Sequence, residues 1–425
     1  MKIGIIGAGF CGLTAAYELS KKGHRVVVFE KEEYPGGLAS SFEISSGITI
    51  ERFIHHIFQS DKEIISLVDE LGLSSKLNFY QSKDGVFYNE KVYPFASGFD
   101  LLAFSPLSIL DRLRFGIVTL YLKQTKNWKK FEQIIAEDWI KQWFGEKSFD
   151  VVWGPLLKSK FGRFADQISM SWFWARVYCR TPKLGYFEGG FSKIADTLVE
   201  KIQKNQGEMK FAVSVDSIQS QGDKINLQTT KGNFLFDKVI VTVPAPIFAK
   251  ITPDLAKNYR QQIENKKFLT VCNLLLVLKK SLMPFYWLNI NDASFPFVVA
   301  AEQTNLVPKS WYQNKIILNF GDYLEENDQK FTFTKEEALK HYLPYLKRIN
   351  PQFSQDWVES AYFFQAPFAQ QVVDVKYSKT IPEIKTPIKN LYLATMAQVY
   401  PYDRGVNYAV KLGKEAAAMV DEKED

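Results

Sequence analysis

Gly7-x-Gly9-x-x-Gly12, with Glu30 eighteen residues further on, is the group whose types and spacing most directly prescribe chemistry. Lys2 to Ile6 reads as a buried strand, Leu13 to Lys21 as a helix, and the Val-rich run Arg25 to Glu30 as a second strand. Gly7 allows the tight turn, Gly9 lets a pyrophosphate approach the backbone, and Gly12 lets helix and strand pack closely. Phe10 and Cys11 complete the turn, and the helix N-terminus offers free N–H groups and a partial positive charge to the phosphates. Glu30 ends the second strand, where a carboxylate accepts both ribose hydroxyls and repels a 2′-phosphate, which disfavours NADP. Lys31 follows, and then a second glycine pair, Gly36-Gly37, whose tight turn reaches the far side of the pyrophosphate before Leu38. The ligand expected is a dinucleotide, FAD or NAD.

The order strand, Glu, Gly-Gly resembles the FAD-binding opening of the superfamily that holds amine oxidases, protoporphyrinogen oxidases, phytoene desaturases and UDP-galactopyranose mutases. That resemblance implies non-covalent FAD and further contacts. Gly189-Gly190 opens an amphipathic helix with Ile194, Leu198 and Ile202 on its apolar face, and the strand after it, with Val213 and Val215, would set the Val215 amide against adenine. A return strand (233–248) would end at Pro244 beside the cofactor. At 390–420 a strand, flavin loop and helix would bring Met396, Gly405, Val406 and Asn407 to the flavin or second phosphate. Two departures stand out. Leu38 occupies the place of the usual Arg, and Ala394-Thr395-Met396 that of a Gly-Asp pair, so the Asp403-Arg404-Gly405 turn is expected to supply replacement contacts. No second GxGxxG occurs, so electrons enter or leave by a route other than an NAD(P)H domain. No cysteine follows Cys272, which excludes a C-terminal cysteinyl-flavin. Cys272 and Asn273 stand where amine oxidases carry a flavin-proximal lysine, which weakens an oxygen-using amine oxidase reading.

Half of the four histidines, His55 and His56, are adjacent. A zinc site needs three or four N or S ligands; His24 and His341 are distant and Cys11, Cys179 and Cys272 are scattered, so no metal is expected. His56-Ile57-Phe58-Gln59-Ser60 resembles the His-Ile-Phe-His-Thr segment that crosses the flavin in UDP-galactopyranose mutases. Adjacent extended residues point to opposite sides, so His56 is expected to face the flavin, orienting substrate or carrying a proton, and His55 to pack against the domain. Tyr400 is the second candidate catalytic residue, and Tyr402 a pocket wall.

These residues need elements to hold them. The fold expected is α/β in two domains: a Rossmann-like FAD-binding domain of glutathione-reductase type (1–82, 184–249 and 389–425), interrupted by a substrate or cap domain of mixed sheet and helices (83–183 and 250–388). In the cap, Trp153, Trp172 and Trp174 offer aromatic walls. Arg163, Arg176 and Arg180 offer charge, the last two four residues apart on one helix face and suited to gripping a phosphate or carboxylate. Leu107, Leu110, Leu113, Ile117 and Leu120 form an apolar stripe flanked by Arg112, Arg114 and Lys123. It fits internal packing of the cap better than a monotopic membrane face.

Length and composition bound the rest. The chain has 425 residues, 46% hydrophobic and 24% charged, which describes folded domains; 15% aromatics, 34 of them Phe, suit a large apolar site. A net charge of +6 permits an anionic substrate or surface, and the basic residues are dispersed among acids, against nucleic-acid binding. Three unpatterned cysteines, an opening "MKIGIIGAGF" that reads as structure with no separate leader, and apolar runs only of strand length place the protein in the cytoplasm, with peripheral contact at the inner membrane face left open. The function expected is an FAD-dependent oxidoreductase acting on a lipophilic or anionic small molecule, with a quinone, oxygen or another acceptor; oligomeric state is open. The alternative is a redox-neutral, mutase-like flavoenzyme acting on a nucleotide or lipid-linked sugar. A non-enzymatic flavin scaffold is the third reading.

Overall fold

A computed structural model describes residues 1–422. Five parallel strands, in the order Glu208–Lys210, Arg25–Phe29, Lys2–Ile6, Lys238–Val241 and Leu391–Leu393, form one sheet. Its central strands read as continuous apolar runs because both faces are covered, one of them by helices. The opening helix Phe10–Lys21 lies against the C-terminal helix Val406–Asp421. A Cβ on Gly413 would stand 2.4 Å from the Cys11 carbonyl oxygen, so only glycine permits that approach. First and last segments of the chain thus build one layer. A three-stranded antiparallel sheet (Val215–Gln221, Lys224–Thr229, Gly232–Phe236) covers the other face of the parallel sheet, setting Ile218, Ile225, Leu227 and Phe236 against Val27, Phe29, Val239 and Val241.

The second body is a seven-stranded mixed sheet in the order Val358–Gln371, Phe268–Leu278, Ile316–Leu324, Val299–Glu302, Trp287–Ile290, Asp84–Tyr88 and Lys91–Pro94. Helices between 98 and 179 pack beside it around Phe144, Phe161, Trp172 and Phe173, all fully buried. The α/β two-part architecture agrees with the expectation from sequence.

Three local expectations are corrected. Val213 and Val215 do not share a strand: Val213 lies in the connection after Glu208–Lys210, donating its N–H to the Glu30 carbonyl, and Val215 begins the antiparallel sheet. The cap helix runs Met170–Cys179, so Arg180 is its extended C-cap residue (φ −64°, ψ 136°) and does not share a helical face with Arg176. The apolar stripe does not pack internally. On the helix Ile109–Gln124 it is Phe115, Val118 and Leu122 that face the core, while Leu110, Leu113, Ile117 and Leu120 face outward; Leu107 alone of the stripe is buried, ahead of the helix.

Candidate active site

The nucleotide cradle is built mostly from backbone. Gly7 adopts φ +103°, and a Cβ there would meet Thr242 Oγ1 at 2.6 Å. A Cβ on Gly12 would lie 2.0 Å from the Gly7 carbonyl oxygen. Gly9 differs: its Cβ would find only the Gly37 Cα, at 3.9 Å, so the side facing Gly36-Gly37 is open to a ligand. The Gly36 N–H closes the turn on the Ala8 carbonyl (2.8 Å). Leu13 N–H bonds Gly9 O, which leaves the amides of Phe10, Cys11 and Gly12 as the free first turn of the helix. Glu30 is buried and held by the N–H groups of Ala8 (2.7 Å) and Glu32 (3.1 Å), which occupy one lone pair on each oxygen and leave the others for ribose hydroxyls. These residues fit a dinucleotide. Cys11 takes part through its amide only, since its thiol donates to Ala394 O and burial pushes its pKa up to about 12. Lys31 points into solvent beside Glu32.

A second free helix start lies at Val406. The N–H groups of Tyr408 and Ala409 both close on Gly405 O, so the amides of Val406 and Asn407 open the turn. The Asn407 side chain is committed elsewhere: its Oδ1 accepts the N–H of Glu63 (2.9 Å) and Ile64 (3.2 Å), capping the helix Lys62–Glu70. Met396 opens a half-buried turn pinned by a Thr395–Gln398 capping box. Leu38 packs with Phe53, Val271, Ala366 and Tyr323 where the two bodies meet.

The segment 52–58 crosses between those bodies. Its histidines point apart, as alternation requires. His55 Nδ1 donates to Phe53 O (2.8 Å) with its ring against Phe191, and burial pushes its pKa down to about 4. His56 Nδ1 bonds Tyr286 OH (3.0 Å) among the rings of Phe58, Tyr286 and Trp287. Burial first, then the Arg180 charge, lowers its pKa to about 3. His56 is therefore a neutral imidazole at physiological pH, suited to hydrogen bonding rather than to carrying a charge.

Next to it lies a buried charge cluster. Lys160 Nζ donates to Asp403 Oδ2 at 2.9 Å, and Arg176 Nη1 stands 3.8 Å from the same oxygen. Arg404 donates to Ala369 O, Gln370 Oε1 (3.0 Å) and Tyr323 OH (3.1 Å). Burial alone would raise the Asp403 pKa, but Lys160, then Arg404 and Arg176, override it and hold the carboxyl far below its usual range. Arg176, lowered by burial to about 10, stays charged. Lys160 and Arg176 thus contact one carboxylate within the field of Arg404 and Arg180, an excess of cations around Asp403 that suits an anion.

The other predicted residues separate from this group. Arg163 is exposed and paired with Glu325 (3.3 Å). The Tyr400 hydroxyl bonds Ser171 Oγ (2.9 Å) and its ring packs on Trp128 and Tyr377, inside the cap. Trp174 is buried, with Nε1 donating to Thr125 O, so it is a core residue more than a pocket wall. Tyr402 stacks on Tyr408 at 4.9 Å. Sequence reasoning missed Tyr286, Tyr323, Gln370 and Arg52, which carry no spacing signal. Arg52 stacks over Tyr34 at 4.0 Å and bonds Ser40 Oγ, bringing a cation to the turn where Leu38 replaces Arg. Asn273 donates to Arg52 O and Asn319 Oδ1 (2.8 Å each), and its own buried Oδ1 has no protein partner.

Residues 10–421 match the family described as flavin containing amine oxidoreductase. The chain belongs to that family. Its cofactor is FAD, which suits the cradle above. Among curated relatives, mitochondrial protoporphyrinogen oxidase from Nicotiana tabacum is 26% identical over 217 residues, 49% of this chain and 42% of that protein. The flavin-dependent L-tryptophan oxidase RebO of Lentzea aerocolonigenes is 23% identical over 59% of each chain. The chain spans about two fifths to three fifths of the length of such relatives. Among solved structures, reduced UDP-galactopyranose mutase superposes with a TM-score of 0.79 at 18% identity, covering 99% of this chain and 95% of that one. Cyclohexylamine oxidase from Brevibacterium oxydans IH-35A gives 0.71 at 14%, covering 99% and 98%. At these identities the structures establish the amine oxidoreductase fold.

Proposed function

We propose that this member of the flavin containing amine oxidoreductase family is a cytoplasmic FAD-dependent oxidoreductase whose substrate is an anionic, largely apolar small molecule. When bound, FAD supplies a two-electron acceptor for hydride from a substrate C–H. In this reading the segments 1–82, 184–249 and 389–425 hold the cofactor, through the amides of Phe10 to Gly12, Glu30, Gly36, Gly37, Val215, Met396 and Gly405 to Asn407. The segments 83–183 and 250–388 hold the substrate. The observation that carries the reading is the buried Lys160–Arg176–Arg404 cluster with its single carboxylate, placed directly before the second free helix start. Lys160 and Arg176 bind the anionic group, and Arg404, fixed by Gln370 and Tyr323, positions Asp403. Neutral His56, oriented by Tyr286, offers a hydrogen bond to a substrate carbonyl or hydroxyl without adding charge. The aromatic cap excludes water from the reacting centre.

The test is anaerobic. The purified flavoprotein is photoreduced, a quinone is added, and the visible flavin band is followed. Rapid return of the band supports an enzyme built to pass electrons onward. A mutase-like second reading rests on the proximity of Arg176 and Arg180 to His56, which also suits a diphosphate. It predicts reduced flavin that persists in quinone yet changes spectrum with a nucleotide sugar. A chain that takes up no FAD overturns both.

A further inference from the structure

Nine of the twelve large apolar side chains exposed among the described residues lie between Phe99 and Trp143. Phe99 is 86% exposed, Leu110 78% and Ile117 67%; the other three (Met1, Leu235, Phe331) are scattered. Leu110, Leu113, Ile117 and Leu120 recur at helical spacing along Ile109–Gln124, opposite its buried face. Trp143 and Leu113 line a shallow groove of about 570 Å³ with Arg114 at its edge. An apolar patch this concentrated marks an interaction surface.

The surrounding charge says what covers it. Residues 98 to 143, the span of the patch, hold seven cations (Arg112, Arg114, Lys123, Lys126, Lys129, Lys130, Lys141) and five carboxylates (Asp100, Asp111, Glu132, Glu137, Asp138), a net +2, with the excess gathered at Lys126, Lys129 and Lys130. Asp100 and Asp111 sit at helix starts, accepting from Ser97 and Ser108, and Glu137 is paired with Lys141. Arg112 and Arg114 bond backbone carbonyls, of Leu107 and Leu102 and of Trp143 and Gln142, so their charge is not cancelled. Lys126, Lys129 and Lys130 are exposed, and Lys130 bonds the hydroxyl of Tyr121 at the patch rim. A second copy of this chain docked here about a two-fold axis would set this cationic rim against itself. An apolar face with Trp and Tyr at its edge and uncompensated cations around it instead matches a monotopic lipid contact. We propose that this face docks the protein on an anionic lipid bilayer, its Leu and Ile side chains entering the acyl boundary and its lysines and arginines meeting headgroup phosphates. The inference stands independently of the substrate. The helix also reaches the candidate site: Lys123 donates to Tyr178 O and Arg180 O, and Thr125 O accepts from Trp174, so the docked element touches the helix bearing Arg176.

Vesicle flotation of the FAD-loaded full chain tests this, using phosphatidylcholine alone and phosphatidylcholine mixed with phosphatidylglycerol. The protein is expected to float with the mixed vesicles at least tenfold better than with phosphatidylcholine, and less well in high salt. Leu113→Glu/Ile117→Glu, both at exposed positions, is expected to cut flotation at least tenfold while flavin content per chain stays unchanged. Lys126→Glu/Lys129→Glu/Lys130→Glu is expected to abolish the phosphatidylglycerol preference. A protein that stays at the bottom with both vesicles, or an apolar variant that floats as well as the parent, overturns the proposal. So does sedimentation showing a dimer that the apolar variant splits without any vesicle binding by the parent.

Discussion

At Gly9 a methyl group has room, and at Gly12 it has none, although both belong to one motif. The difference separates folding from binding. Gly9→Ala is expected to leave the melting temperature of the apoprotein nearly unchanged while lowering flavin content per chain at least tenfold, read from absorbance after gel filtration. Gly12→Ala is expected to fail at folding, because its Cβ would lie 2.0 Å from a carbonyl oxygen. The histidine pair makes a pH prediction. Both imidazoles are neutral in the fold, with pKa values of about 4 and about 3, against 6.5 for an unperturbed histidine. Above pH 6.5 neither contributes to the pH dependence. As pH falls from there toward about 4, the unfolded chain takes up protons that the folded one refuses, so each histidine costs about 1.4 kcal/mol of stability per pH unit. Urea unfolding at pH 7 and pH 5 should show the loss, and His56→Gln should remove about half of the pair's share.

Among the elements, the helix Lys62–Glu70 shows how far a local rule reaches. Asp61 stands at its N-cap yet makes no side-chain cap; its carboxylate accepts the Phe58 N–H instead. The cap comes from Asn407, 344 residues from Glu63 in the chain. Asn407→Ala should therefore loosen two elements together, at a cost of about 1–2 kcal/mol in urea unfolding, with faster hydrogen exchange at Glu63 and Ile64. The Gly189-Gly190 turn has a similar dependence. A Cβ on Gly190 would meet the Glu51 carboxylate at 2.6 Å, and that buried carboxylate accepts the Phe191 N–H that opens the next helix.

Across the whole molecule, the charge cluster is where the chain's remote parts meet. Lys160 comes from the helix Gly154–Phe161, Arg176 from the cap helix, Tyr323 and Gln370 from two strands of the mixed sheet, and Asp403 and Arg404 from the loop before the last helix. Removing the one carboxylate leaves buried cations uncompensated. Asp403→Asn is expected to destabilise the protein by about 3 kcal/mol. Added pyrophosphate should restore more of the melting temperature in the variant than in the parent. Equal shifts in both proteins would argue that the cluster is purely structural.

The amino-acid sequence by itself determined the dinucleotide cradle and the α/β class, because a turn, a helix start and an acidic strand end lie within thirty residues and follow local rules. It also indicated that His55 and His56 meet different surroundings, since adjacent residues of an extended chain face opposite sides. Which cations gather around Asp403, that Arg163 leaves the group while Lys160 joins it, and that Tyr400 serves the cap were decided only by the tertiary structure. The contacts of Lys160 and Arg176 with Asp403 and of Tyr400 with Ser171 join residues more than two hundred positions apart, and no spacing rule acts over such separations. The outward turn of the apolar stripe belongs there too. Periodicity tells that a helix has an apolar face, but packing decides which face the neighbouring helices cover.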